Sequence, residues 1–262
     1  MTRVSLYDEL REALQDDRPV ALATIIDGPG IGNKLLVGPD RERVGSLGNE
    51  DLDRVVSRDA LGQLVAGRTD RRHYGARGEA RETVVDVFIE AFAPAPRMLI
   101  FGAVDFTAAL ATAAKFLGFH VTVCDAREVF ATVRRFPMAD EVLVDWPHRL
   151  VEREGGRLGP ADAICVLTHD NKFDVPAIVA ALATDVGYLG AMGSRRTHAK
   201  RVERLQEEGV TDAELERVMA PIGLDIGSRT PEETAIAVCA EIIANHTGHT
   251  AGSLKTTEGP IH

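Results

Sequence analysis

The sequence predicts an α/β protein in which a carboxyl-terminal, Rossmann-like parallel sheet follows a smaller amino-terminal α+β domain. Three observations lead there. After residue 97, apolar runs of strand length alternate with helical patterns, the signature of parallel strands joined by right-handed crossovers. The tract Ala93-Pro94-Ala95-Pro96 reads as a stiff linker. Between Ala163 and Glu233, three polar clusters each follow an apolar run, and in an open α/β sheet such loops gather outside the carboxyl ends of the strands.

From the amino terminus, Leu6, Leu10, Ala13 and Leu14 have helical spacing over 6–15, and Val20 to Ile26 reads as a strand. Asp27 to Asn33 is dense in turn formers, Lys34 to Val37 is a short strand, and Gly38-Pro39-Asp40 is a second turn. The breaker cluster Gly45-Ser46-Leu47-Gly48-Asn49 precedes a helix from Glu50 to about Ala66, and Thr83 to Glu90 reads as a strand. Beyond the linker come strands at 97–102, 120–124, 141–144, 163–167 and 186–191. Helices are expected at 106–117, around 175–178, at 195–206 and at 211–218. The last helix is the best marked: Thr230 is its N-cap, Pro231 its first residue and Glu233 the partner of a capping box. The domains are therefore 1–93 and 97–245, with 246–262 as a flexible tail.

At 262 residues, 45% of them hydrophobic and 27% charged, the chain can bury a core without disulfide staples. A net charge of −10 argues against a general nucleic-acid binder. Met1 to Glu9 has no signal-peptide pattern, no run reaches membrane-span length, and Cys124, Cys165 and Cys239 are widely spaced, so a reducing cytoplasm is the expected setting.

The candidate ligand residues sit at strand ends. Gly102 opens the turn that carries phosphate in dinucleotide folds, and Asp125 ends the next strand, with Arg127 close by to line the crevice. Val104 and Asp105 occupy positions where glycines and an anion are expected, which disfavours ordinary NAD binding. Thr168, His169 and Asp170 supply a hydroxyl, an imidazole and a carboxylate without forming a triad. Either Asp170 or Asp174 can cap the helix that follows. For Asp174 the cap is the favoured reading, and His169 stays open as an acid, base or hydrogen-bond donor. Gly193, Ser194, Arg195 and Arg196 form a helix N-terminus that is equally a cap and an anion site. Asp225, Ser228 and Arg229 offer a second such helix start. Together they suggest a phosphorylated heterocycle, and metal-ligand spacing is absent.

Several ordered motifs carry a resemblance. They are Leu99-Ile100-Phe101-Gly102-Ala103, Val121 through Arg127, Arg135-Phe136-Pro137, Leu167-Thr168-His169-Asp170-Asn171-Lys172-Phe173-Asp174-Val175-Pro176-Ala177, Gly193-Ser194-Arg195-Arg196 and Pro221 through Pro231. The second half resembles the XdhC/CoxI family, maturation factors of xanthine dehydrogenase and aerobic carbon monoxide dehydrogenase. The first half matches more loosely through Ala21 to Ile26, Leu35 to Val37 and Val44 to Gly48. The resemblance implies a cytoplasmic chaperone that binds molybdenum cofactor as cargo. Its implied partners are an apo-molybdoenzyme and a cysteine desulfurase that assists sulfuration, and it admits a homodimer. It implies no catalytic residue. The pterin would meet His169 or Asp170, and its phosphate would meet the helix starts.

Two departures separate this chain from the family pattern. Asp51 stands where the family's first-domain loop carries a cysteine, so a soft thiolate has become a hard carboxylate. Val104-Asp105 replaces Gly-His in the second-domain turn. Two other readings therefore remain: an NAD(P)-dependent oxidoreductase on the Rossmann-like half, and a cofactor-free adaptor for the molybdoenzyme.

Overall fold

A computed structural model describes residues 5–16, 18–40, 42–79 and 84–256. The chain divides into two compact units, Met1–Pro94 and Ala95–His262.

In the first unit, helix α1 (Leu6–Gln15) precedes strands β1 (Val20–Asp27), β2 (Lys34–Val37) and β3 (Arg43–Ser46). Helix α2 (Glu50–Ala66) and strands β4 (Asp70–Tyr74) and β5 (Val85–Phe92) follow. The strands form one antiparallel sheet in the order β3-β2-β1-β5-β4. Strand alternation divides its two faces. Ala21, Ala23, Ile25, Leu35 and Val37 pack with Leu52 and Val56 of α2, whereas Val20, Leu22 and Leu36 pack with Ala13 of α1. The strand expected from Thr83 begins at Val85, and Thr83 itself lies outside the described residues. β3 runs into the expected breaker cluster, with Gly45 at φ +91° where an added Cβ would lie 2.4 Å from the Lys34 carbonyl oxygen.

The second unit contains β6 (Arg97–Phe101), α3 (Asp105–Phe116), β7 (His120–Cys124), β8 (Glu141–Leu143), α4 (Pro147–Glu154), β9 (Ala163–Val166) and α5 (Asn171–Leu182). It continues with β10 (Tyr188–Ala191), α6 (Arg195–Glu207), α7 (Asp212–Leu215), β11 (Val218–Met219) and α8 (Pro231–Thr247). All its strand pairs are parallel, in the order β11-β10-β9-β6-β7-β8. This is the doubly wound Rossmann order, with its reversal between β6 and β9. One face packs Phe101, Ile164, Val166 and Leu189 under α4, α5 and α6, and the other packs Met98, Ile100, Val121 and Cys165 under α3 and α8. The capping box at Thr230 and Glu233 is present, and α8 runs two residues past the expected boundary at 245 before Gly248 ends it in the left-handed region. The carboxyl-terminal residues 257–262 lie outside the described ones, and so do residues 1–4.

Among the described residues no helix is long and apolar enough to cross a membrane. All three cysteines are buried, and burial pushes the Cys239 thiol up to about 11 and the Cys124 thiol up to about 12. We predict that no cysteine reacts with a thiol-specific reagent in the native chain and that three react in denaturant; a fast native thiol would contradict this packing.

Candidate functional site

The sheet reversal brings the ends of β6 and β9 side by side. Gly102, just past β6, has φ +109°, and an added Cβ would lie 2.8 Å from Thr168 Cγ2 and 2.9 Å from the Thr168 amide nitrogen. Glycine is needed there both for backbone conformation and for close approach. The first two amides of the turn after it are satisfied within the chain. Ala103 N–H donates to Asp125 Oδ2 at 2.8 Å, Val104 N–H to Thr107 Oγ1 at 3.3 Å, and the Thr107 hydroxyl to the Gly102 carbonyl. A pyrophosphate would find these donors already used.

Asp125 is 2% exposed and accepts four bonds, from the Ala103 amide and from the Arg127 amide, Nε and Nη2 at 2.7–2.9 Å. Burial alone would raise its pKa, but the bonds from Arg127 and Ala103 outweigh it and hold the carboxyl below its ordinary value. No acceptor position is left for a ribose hydroxyl. Arg127 lies 4.6 Å over the Phe130 ring, and the charge of Asp170 also acts on it, so the loops after β7 and β9 face each other electrostatically. Arg135 fastens the β7 loop to the first turn by donating to the Ala103 carbonyl at 2.9 Å.

Below the crevice lies a pair the sequence reading missed. Arg201 of α6 is fully buried and donates through Nη2 to Asp174 Oδ2 at 2.9 Å and to the Met192 carbonyl at 2.8 Å. Asp174, 1% exposed, also accepts the Thr168 hydroxyl. The expected cap at Asp174 is thereby corrected. Asp170 is the N-cap of α5, accepting from the Lys172 amide at 3.1 Å, because Asp174 lies one turn inside the helix and faces the core. Burial pushes the Asp174 carboxyl up to about 6 despite Arg201. Nε and Nη1 of Arg201 have no partner among the described residues. The signal was Arg201 itself, a cation at a core position of the helix pattern.

The helix starts at this edge differ in what they leave open. At α8, the Glu233 carboxylate accepts the Arg229 amide at 2.6 Å and the Thr230 amide at 3.1 Å, so the chain supplies its own anion beside Ser228 and Arg229. Asp225, Ser228 and Arg229 are exposed, with no side-chain bond to the other clusters among the described residues. At α6, Ser194 caps the Thr197 amide at 3.1 Å, and the Arg195 and Arg196 amides have no partner among the described residues. Both of these arginines are exposed, and Gly193 has φ +144°. His169 and Asp170 are exposed above the β9 end, whereas Thr168 is buried and bound to Asp174.

In the first unit, Asn49 caps α2 and Asp53 accepts the Leu47 amide at 2.7 Å and the Ser46 hydroxyl. Asp51 is exposed in the first helical turn, 3.4 Å from Arg54.

Residues 98–242 match the XdhC Rossmann domain, and residues 13–75 match the model of the XdhC and CoxI family. The chain belongs to the XdhC family. It is 29% identical to the uncharacterized protein YqeB of Escherichia coli K12 over 92% of this chain and 46% of that one. It is 33% identical to a probable xanthine dehydrogenase subunit from Bacillus subtilis 168, over 62% of this chain and 46% of the relative. It is 36% identical to the molybdenum cofactor insertion chaperone PaoD of Escherichia coli K12, over 30% of this chain and 25% of the relative. This family member thus spans less than half the length of these curated relatives. A crystal structure of a xanthine dehydrogenase from Bacillus halodurans superposes with a TM-score of 0.56 at 22% identity, over 94% of this chain and 97% of that one, which supports the fold.

Replacing Arg201 with Met strands a buried carboxylate, and we expect a loss of about 3–5 kcal/mol in urea unfolding; a change below about 1 kcal/mol would contradict the assignment. Asp174 has a raised folded pKa, so the fold holds a proton that the unfolded chain releases above about pH 4. Its contribution is complete below that pH and lost as pH rises through about 6. Asp174→Asn cannot ionise, so the stability difference should shift toward the variant between acid and neutral pH.

Proposed function

We propose that this chain is a maturation chaperone for a xanthine dehydrogenase or carbon monoxide dehydrogenase type molybdoenzyme, carrying molybdenum cofactor as cargo in the cytoplasm. The family match and the relative named as a molybdenum cofactor insertion chaperone support the class. The observation that carries the site is the α6 start: two amides with no partner among the described residues, two exposed arginines and the positive end of a thirteen-residue helix suit a phosphate. Gly193, Ser194 and Arg195 would hold that phosphate. His169 and Asp170, with Arg127 stacked on Phe130 across the crevice, would meet the pterin. Gly102 and Thr168 shape the floor, and Asp125 anchors Arg127. Asp225, Ser228 and Arg229 would form an outer rim, a weaker contribution because Glu233 already occupies that helix start.

Bound cofactor supplies the molybdenum chemistry, and this chain's residues bind, orient and shield it without turning it over. Sulfur for the cofactor would come from a cysteine desulfurase partner, since the chain's three thiols are buried and Asp51 offers only an exposed carboxylate. That carboxylate also favours the adaptor reading. The spent amides of the Gly102 turn weigh against an NAD(P)-dependent oxidoreductase.

After expression in a host that makes the cofactor, we expect oxidised pterin fluorescence from the purified chain. We expect Ser194→Asp, which keeps a good N-cap but repels phosphate, to lower it at least about tenfold. Full retention by that variant would remove the phosphate site, and no pterin together with binding to the apo-enzyme would establish the adaptor.

A further inference from the structure

On the helical face of the second unit, a groove of about 680 Å³ runs between α4 and α5, apart from the crevice residues named above. Its floor is apolar, formed by Val151, Leu158, Val175, Val179 and Ala180. Past its first turn α5 has no polar outer face: Pro176, Val179, Ala180 and the C-cap Ala183 line the groove at positions where a surface helix normally carries polar side chains. Ala183, Gly156 and Asp185 are exposed, so the trough is open to solvent.

The charged residues that line the groove have one sign, with Arg217 beside them engaged by the Leu182 and Thr184 carbonyls. Glu152, Asp185 and Glu208 are exposed there, and no lysine or arginine is among the lining residues. His148 also lines the groove, and its Nδ1 is buried without a partner among the described residues. From Val175 to Ala183 the α5 wall is about 12 Å long at about 1.5 Å per residue, which is about two helical turns. An incoming helix laid against that wall would present anchors at i, i+3 or i+4, and i+7.

We propose that this groove docks an amphipathic helix of a partner protein, with apolar anchors on the Val175–Ala183 wall and flanking Lys or Arg side chains on Glu152, Asp185 and Glu208. Charge complementarity selects a basic helix over an acidic one. The two-turn open trough suits a helix face. The inference does not depend on the cofactor reading.

The chain's one tryptophan reports on the site, because the Trp146 ring is 5.8 Å from His148. The full-length chain is titrated with a tryptophan-free leucine/lysine peptide that places leucine at i, i+3, i+4 and i+7. A scrambled peptide of the same composition serves as the control. We expect a saturable Trp146 emission change, at least about tenfold weaker for the scrambled peptide, for the Glu152→Gln, Asp185→Asn, Glu208→Gln triple variant and for Ala180→Phe, which fills the groove. Unchanged urea midpoints show that the variants remain folded. Equal affinity for ordered and scrambled peptides would overturn the proposal, as would undiminished binding by Ala180→Phe. Self-association that Ala180→Phe abolishes in sedimentation would assign the groove to a second copy and also overturn it.

Discussion

The buried guanidinium of Arg201 holds the crevice together. Through one nitrogen it joins α6 to the Met192 carbonyl beyond β10 and to Asp174 of α5, and Asp174 binds the Thr168 hydroxyl beyond β9. Two strand ends and two helices are thereby fixed by one charge pair. Such a pair costs desolvation on both sides, and Nε and Nη1, without a partner among the described residues, add to that cost, so its value is less in net stability than in specifying one arrangement. The position of the Gly193-Ser194 turn relative to the Thr168-His169-Asp170 loop follows from that arrangement.

What this scaffold presents to a ligand depends on what the chain has already satisfied. The Rossmann turn after β6 uses the Ala103 and Val104 amides on Asp125 and Thr107 and places the Asp105 carboxylate in the first turn of α3, and the α8 start uses the Arg229 and Thr230 amides on Glu233. The α6 start keeps two amides and two arginines available. Three similar helix starts at one sheet edge therefore do not make three anion sites. Hydrogen bonds and the charge of the first helical turn separate them.

The elements with strong local signals were legible in the sequence: the apolar Val20–Asp27 strand, α2 after its breaker cluster, the all-apolar β9 and the capping box at Thr230. β4 was missed because Asp70-Arg71-Arg72-His73-Tyr74 has no apolar alternation and pairs only at a sheet edge. β11 is two residues long and was absorbed into an expected helix, and α4 carries its apolar positions within a charged stretch. At the site, strand-end placement was readable for Gly102, Asp125 and Thr168. Side-chain direction was not. Asp170 and Asp174 are four residues apart on one helix, and only packing decides which caps and which is buried with Arg201.

The same logic applies to the first unit, where Asp51 sits in the opening turn of α2 as an exposed carboxylate and offers no soft ligand. On the proposed reading the cargo would be held by the Rossmann-like unit, with the start of α6 as its anion-binding anchor. Amide hydrogen exchange, measured with and without molybdopterin, tests that most directly. The account predicts that the ligand slows exchange at the Arg195 and Arg196 amides and leaves the Glu233-bound Arg229 amide unchanged; saturating ligand with no protection at Arg195 and Arg196 would contradict it.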